Sequence, residues 1–172
     1  MKGIIVFAAL VVALLLQTTV AGLSLEAGSY VNFVLIAVVY IALAMGALTG
    51  LLAGAAGGLA QDAIAGSIVG IGGLSKTLVG FMVGVLGAQF IVSQPLPRLV
   101  MFVGATFLHE LCFQGLYSLV EGQAFQFGYR PVLMQAALNA VIGIIAFEIV
   151  EGAPGMMQRR EARRSIFGRR KF

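Results

Sequence analysis

The feature that most constrains the fold is a long segment without charge that carries a regular series of glycines. Residues 27–61 contain no charged side chain, and glycine recurs there at every fourth position until an acid ends the series (Gly46, Gly50, Gly54, Gly58 and Asp62). Residues four apart lie along one inclined ridge of a helix. Because a ridge of glycines has no side chains, another backbone can approach it closely, as is common between helices in a bilayer. The series therefore predicts tight helix packing inside a membrane.

The overall composition supports a membrane environment. The chain of 172 residues is 60% hydrophobic with a mean hydropathy of +1.01, and 10% of its residues are charged, against roughly 25% in an average soluble domain. These values predict an all-α, polytopic membrane protein. A lone Cys112 excludes a disulfide framework, and a lone His109 argues against a histidine metal site. We expect neither a metal nor a cofactor.

Positive charge is concentrated at the C-terminus. Residues 156–172 carry seven basic side chains against Glu161, a net charge of +6, so the remainder of the chain carries −2. The sequence thus divides into a transmembrane domain, residues 1–155, and a basic tail, residues 156–172. By the positive-inside rule the tail should lie in the cytoplasm, where it can bind anionic lipid at about 1 kcal/mol per basic residue. No fold accompanies the tail that would indicate nucleic-acid binding.

Apolar segments predict about six transmembrane helices. The first could be a cleavable signal peptide, but its apolar run exceeds the usual length of about 7–15 residues, which favours a retained helix. The run over 30–61 would form a helix of roughly 48 Å, too long for a hydrocarbon core of about 30 Å, so a hairpin is expected. The predicted segments are 3–23, a hairpin over 30–61 turning near 44–48, then 76–92, 99–120 and 132–150.

The connections between these segments are rich in glycine and proline. Residues 61–75 should form an ordered glycine loop, since glycine adopts backbone angles that other residues avoid. With six spans, Asp62 and Lys76 would lie at the outward face. Gly152, Pro154 and Gly155 should separate the bundle from the tail, because proline cannot continue a helix interior.

Polar residues on the last two spans form a candidate site. His109 and Glu110 are predicted near the bilayer midplane, where a charge costs about 2.5–3.5 kcal/mol, and burial favours the uncharged form of Glu110. Gln114 lies one turn on from Glu110 and shares its helix face, and Gln135 shares a face of the sixth span with Asn139. One interpretation is a polar pocket that binds a ligand or a proton. The favoured alternative is an interhelical hydrogen-bond clamp, worth about 0.6 kcal/mol per contact.

Other polar residues admit structural explanations. Asp62 could brace the glycine loop by accepting backbone N–H groups, which we favour, or it could recognise a ligand at an outward mouth. Glu148 is expected to pair with Arg98 or with the tail. No nucleophile stands beside an obvious base, and neither a phosphate-binding loop nor a zinc-protease motif is present. The chain is therefore not expected to be an enzyme.

Two motifs resemble the rod-shape-determining MreD family. They are the segment Gly58-Leu-Ala-Gln-Asp62, which ends a glycine-containing helix, and Val79-Gly80-Phe-Met-Val-Gly84 in the following span. Chain length, span number and the basic tail also agree with that family. The uncharged turn near 44–48 departs from it, because many relatives carry a basic or proline-bearing loop there.

This resemblance implies a non-catalytic scaffold or regulator of the elongasome in the bacterial inner membrane. Such a protein would bind MreC, and through it influence MreB and the RodA–transpeptidase pair that build lateral peptidoglycan. The glycines of spans three and four, Gly50, Gly54, Gly58, Gly80 and Gly84, would then make helix contacts inside the bundle or receive the membrane helix of a partner.

The resemblance also implies a six-helix fold similar to the substrate-binding subunits of energy-coupling-factor vitamin transporters. Those subunits dock a transport partner through an A-x-x-x-A pattern on their first helix, and Ala9-Leu-Val-Val-Ala13 matches it. The alternative function is therefore a vitamin-binding membrane subunit, with its ligand near His109, Glu110, Gln114 and Asn139.

Overall fold

A computed structural model describes residues 2–22, 30–90, 95–125 and 127–168. All the regular secondary structure in these ranges is helical, which confirms the predicted all-α class. The six helices are α1 (Lys2–Gly22), α2 (Phe33–Met45), α3 (Ala47–Ala65), α4 (Ile71–Gln89), α5 (Pro95–Glu121) and α6 (Tyr129–Gly168).

Helix α2 lies at the centre of the bundle and contacts all five other helices. Its sequence is apolar all round, as expected of a helix that other helices surround. Its 13 residues span only about 20 Å, which is shorter than the hydrocarbon core. Asn32 caps its first turn, where the Asn32 Oδ1 accepts a hydrogen bond from the Leu35 N–H at 3.0 Å.

The expected hairpin between α2 and α3 turns at Gly46. This residue has a φ of 91°, a left-handed angle that favours glycine. A single glycine therefore ends α2 at Met45 and lets α3 begin at Ala47. No charged or proline-bearing loop is needed to reverse the chain.

Four helices of the described chain are long and apolar enough to cross a membrane. They comprise Gly3–Gly22 of α1, Ile71–Gln89 of α4, Leu96–Glu121 of α5 and Tyr129–Val150 of α6. Helix α1 exposes a row of large apolar side chains, including Ile4, Phe7 and Leu15. Such a surface is compatible with surrounding hydrocarbon.

The glycine loop is shorter than the sequence predicted, and the acid and the base that flank it, Asp62 and Lys76, are buried in the bundle. Helix α3 continues to Ala65 and α4 begins at Ile71, so the connection spans residues 66–70 rather than 61–75. Asp62 and Lys76 are consequently helical, and they are 4% and 2% exposed. Both side chains are thus covered by the surrounding helices, and the side of the membrane on which this end of the bundle lies stays a prediction. Gly72 and Gly73 can lie in the first turn of α4 because the Asp62 carboxylate accepts hydrogen bonds from their backbone N–H groups.

The last two helices also extend beyond their predicted limits. Helix α5 begins at Pro95 rather than near 99, and proline is well tolerated in a first helical turn. Helix α6 continues to Gly168, through Gly152, Pro154 and Gly155, where the sequence predicted a break. The bundle and the basic segment are thus joined by one helix.

Candidate functional site

The glycine series on α3 packs directly against α4. A Cβ atom added to Gly50 would overlap the Gly80 carbonyl oxygen, and one added to Gly54 would overlap the backbone of Lys76. A Cβ on Gly58 would lie 2.6 Å from the Cα of Gly73. Backbone therefore touches backbone along this contact.

The α4 glycines predicted for helix packing face the same interface. Gly80 abuts the carbonyl oxygen of Gly50, and Gly84 abuts the backbone of Ala47. All five predicted packing glycines are buried within the bundle. Their stripe is occupied by an internal contact and leaves no free surface for another subunit.

Asp62 ties the end of α3 to the beginning of α4. Its Oδ2 accepts backbone N–H groups from Gly70 at 2.9 Å, Gly72 at 2.9 Å and Gly73 at 3.2 Å. Unpaired N–H groups at a helix N-terminus need acceptors, and a carboxylate there also interacts favourably with the helix dipole. Asp62 therefore braces the glycine loop, the role that the sequence analysis favours, and it also accepts N–H groups from the first turn of α4.

Lys76 is a buried cation that sequence reasoning missed as a site residue. Its side chain is among the largest that are fully buried. It makes no hydrogen bond or ion pair within 4 Å with another described residue, although Asp62 and Glu110 act on it electrostatically. A buried ammonium requires nearby negative charge, because the interior cannot replace its hydration. The acids of α3 and α5, Asp62 and Glu110, supply that negative charge.

A directed chain of hydrogen bonds joins α5, α6 and the beginning of α2. Asn139 Nδ2 donates to Thr106 Oγ1 at 3.2 Å, and Asn139 Oδ1 accepts the Asn32 backbone N–H at 3.0 Å. Asn32 Nδ2 then lies 3.4 Å from His109 Nε2. All four residues are buried, so this series of hydrogen bonds fixes the positions of α2, α5 and α6 relative to one another.

Glu110 and Gln114 extend this polar cluster toward the α5–α6 loop. Gln114 Nε2 donates to Glu110 Oε2 at 3.0 Å, and the other carboxyl oxygen, Oε1, lies 3.9 Å from His109 Nε2. Gln114 also lines a cavity of about 270 Å³ with Phe113, Tyr117, Ser118, Gln123 and Ala124. The polar cluster therefore reaches an opening at that end of the bundle.

Gln135 is the predicted site residue that stands apart. It is half-buried on α6 and makes no hydrogen bond with another described residue. The structure thus brings together His109, Glu110, Gln114 and Asn139, while Asp62 joins them only electrostatically through Lys76. Within the described residues, no group of acids, histidines and cysteines could hold a metal ion.

Arg98 forms a separate contact near the beginning of α5. Its guanidinium lies 3.2 Å from Glu148 Oε1 and 3.9 Å from the centroid of the Phe147 ring. Tyr40 of α2 packs edge-on against the same ring at 4.7 Å. Arg98 is buried, so its contacts with Glu148 and Phe147 join α5 to α6, and the ring contact of Tyr40 with Phe147 adds α2.

An apolar groove lies between α1, α2 and α6. Helix α1 contacts α2 and α3 but does not reach α6 in the described part of the chain, which leaves a groove of about 500 Å³. Five of its thirteen lining residues are alanines: Ala8, Ala9 and Ala13 of α1, Ala37 of α2 and Ala146 of α6. The A-x-x-x-A pattern, Ala9 and Ala13, therefore forms part of the groove wall.

Two of the missed residues carried a sequence signal. Asn32 precedes a continuous apolar run, which is a typical helix N-cap position. The predicted fourth span begins at Lys76 because the predicted glycine loop includes Gly72 and Gly73. A glycine pair facing the glycine ridge of α3 would instead have indicated helix contact, and would have placed Lys76 one turn inside α4.

Comparison with known proteins identifies the family. No curated protein and no solved structure gives a significant match to the chain. The family model described as "rod shape-determining protein MreD" matches residues 1–152, which include all the apolar helices and the polar cluster. The chain therefore belongs to the MreD family of rod-shape-determining proteins.

Proposed function

We propose that this chain is a non-catalytic scaffold of the cell-elongation machinery that binds the membrane helix of MreC. Through MreC it would influence MreB and the RodA–transpeptidase pair, and so support lateral peptidoglycan synthesis. Family membership supports a role in rod-shape determination. It also favours this function over the vitamin-transporter alternative.

The main support for the proposed contact with the MreC helix is the groove between α1, α2 and α6. The glycine ridges are already occupied by the α3–α4 interface, whereas the groove is apolar and bordered by alanines. Its α1 wall runs from Ile5 to Leu16, about 16 Å along the helix axis. Small residues allow helices in a membrane to approach closely, so a single apolar helix suits this surface.

The proposed topology places both termini in the cytoplasm. Positive charge in residues 156–172 supports this orientation through the positive-inside rule. Anionic lipid would bind the basic segment, and the α5–α6 loop would face outward. The inner membrane is the corresponding location.

Co-purification with MreC tests the proposal. The wild-type chain and MreC are expressed together, extracted in a mild detergent and captured by a tag on this chain. Ala8→Phe fills the groove from an exposed position on α1, and we expect it to reduce MreC recovery at least about tenfold, which corresponds to about 1.4 kcal/mol. Ala137→Phe adds the same ring at an exposed α6 position outside the groove and should leave recovery unchanged.

The outcomes separate the two parts of the proposal. Failure of the wild-type chain to retain MreC would contradict the scaffold function itself. Equal retention by wild type and Ala8→Phe would keep MreC as a partner but reject the groove as its site. Equal loss in Ala8→Phe and Ala137→Phe would also reject the groove, because the effect would not be specific to it.

A further inference from the structure

We propose that the cavity at the α5–α6 loop is a binding site for a primary ammonium group. The cavity has a volume of about 270 Å³, and its lining residues are Phe113, Gln114, Tyr117, Ser118, Gln123 and Ala124. The ammonium group belongs either to the ethanolamine headgroup of a membrane lipid or to a small soluble amine. This inference goes beyond the scaffold function, and it does not depend on MreC binding.

The two glutamines of the cavity direct their NH₂ groups to carboxylates. Gln114 Nε2 donates to Glu110 Oε2 at 3.0 Å, and Gln123 Nε2 donates to Glu121 Oε2 at 2.9 Å. Because a carboxylate only accepts hydrogen bonds, these contacts identify the carbonyl end of each amide. Gln114 Oε1 is buried without a hydrogen-bond partner among the described residues, and Gln123 Oε1 has none there either. Both carbonyl oxygens therefore lack a donor.

The hydroxyl groups of the cavity are also directed to acceptors within the protein. Ser118 Oγ donates to the backbone carbonyl oxygen of Gln114 at 2.8 Å, so the serine oxygen can offer only its lone pairs to a ligand. The Tyr117 hydroxyl interacts with the Glu121 carboxylate. A ligand that complements these polar groups must therefore supply hydrogen-bond donors.

The charge and the aromatic wall of the cavity favour a donor that is also a cation. Glu121 contacts the lining residue Gln123 and forms no salt bridge with another described residue. No lysine or arginine is among the residues that line the cavity. The rings of Phe113 and Tyr117 stack with centroids 6.3 Å apart, and aromatic faces attract cations.

A primary ammonium group matches the number of these acceptors. It carries three N–H donors, and the cavity offers three oxygens without a donor, those of Gln114, Ser118 and Gln123. The quaternary ammonium of choline has no N–H group and could use only the rings. The site should therefore distinguish ethanolamine from choline.

The cavity lies at the depth of lipid headgroups. The apolar span of α5 ends at Glu121, and Ser118 precedes this residue by about 4.5 Å along the helix axis. The headgroup region occupies about 5–8 Å on each side of the hydrocarbon core. An ethanolamine headgroup of the surrounding bilayer can thus reach Ser118 and Gln123, with Gln114 one turn deeper.

Native mass spectrometry of the purified full chain in detergent tests the lipid as a ligand. Phosphatidylethanolamine and phosphatidylcholine with identical acyl chains are added in equal amounts. We expect the ethanolamine lipid to bind at least about tenfold more tightly, because the choline lipid cannot donate charge-assisted hydrogen bonds. Lipids with one or two N-methyl groups should bind with intermediate affinity.

Calorimetric titration with free ethanolamine and free choline distinguishes the two sources of the ammonium group. Preferential binding of free ethanolamine supports the site and assigns a soluble amine to it. Preference for the ethanolamine lipid without binding of the free amine supports the site and assigns a headgroup. Equal binding of ethanolamine and choline, both as lipids and as free compounds, would overturn the proposal.

Exposed substitutions locate the site without disturbing the buried cluster. Gln123→Lys places an ammonium of the protein itself at the cavity and should abolish the preference for ethanolamine. Thr19→Lys adds the same charge at an exposed position near the end of α1 and should retain it. Glu121→Gln should weaken ethanolamine binding and leave choline binding unchanged. Persistence of the preference in Gln123→Lys, or its equal loss in Thr19→Lys, would overturn the assignment to this cavity.

Discussion

Adding one methyl group to Gly58 should force α3 and α4 apart. The new Cβ would lie 2.6 Å from Gly73 Cα and 2.7 Å from the Gly72 carbonyl oxygen. Both neighbours are backbone atoms, so no side chain can rotate away. Ordinary van der Waals contact begins at 3.4 Å, and the backbones must separate by about 0.8 Å at this point. The same movement would lengthen the hydrogen bonds that the N–H groups of Gly72 and Gly73 donate to Asp62.

The magnitude follows from two opposing effects. Overpacking a close contact costs about 1–3 kcal/mol, whereas glycine to alanine inside a helix gains about 1 kcal/mol of propensity. Gly104→Ala supplies a matched control, because a Cβ there has no neighbour within 4 Å. The propensity gain is common to both variants. Gly58→Ala should therefore be less stable than Gly104→Ala by about 1–3 kcal/mol.

Titration of the chain with SDS in mixed micelles measures this difference as a free energy of unfolding. Near-UV circular dichroism of the tyrosine side chains reports loss of tertiary packing, since the chain contains no tryptophan. The Gly58→Ala transition should occur at a lower SDS fraction than that of Gly104→Ala. Equal stability of Gly58→Ala and Gly104→Ala would refute the backbone-to-backbone contact.

Two further predictions concern the α3–α4 connection and the topology. Asp62→Ala removes the acceptor of three N–H groups, each costing about 1–3 kcal/mol when unsatisfied; the same SDS titration should show a loss of at least about 3 kcal/mol, and wild-type stability would contradict the bracing role. Fused to the C-terminus, green fluorescent protein should fluoresce and alkaline phosphatase should be inactive, because a cytoplasmic tail is expected; the reverse result would invert the proposed orientation.

Much of the fold followed from the sequence because hydropathy and glycine spacing are local signals. The six helices and a turn near residues 44–48 were predictable from apolar length and the limit set by bilayer thickness. The ends of helices near glycines were not predictable, since glycine can adopt both helical and non-helical backbone angles. What decided the beginning of α4 was the carboxylate of Asp62, a contact across eight to eleven positions of sequence.

The sequence predicts part of the polar cluster, but it includes Gln135, which makes none of the cluster's hydrogen bonds, and it omits Asn32 and Lys76. Periodicity placed Gln114 one turn from Glu110, and the two side chains are hydrogen-bonded. Periodicity could not place Asn32 beside Asn139, because 107 positions separate them and only the packing of α2 at the centre joins them. The burial of Lys76 could not be predicted either, because it depends on the close packing of α3 against α4.

The polar cluster and the glycine ridges are buried in contacts within the bundle, and this limits the surfaces by which the chain can recognise a partner in the membrane. Lipid tails are as apolar as leucine, so hydrophobicity alone cannot distinguish a protein helix from lipid. Specificity must then come from shape or from polar contacts, and the polar cluster and glycine ridges face inward. The alanine-lined groove retains a defined shape. A partner helix that fits there should therefore present large apolar side chains at helical spacing, complementary to Ala8, Ala37 and Ala146.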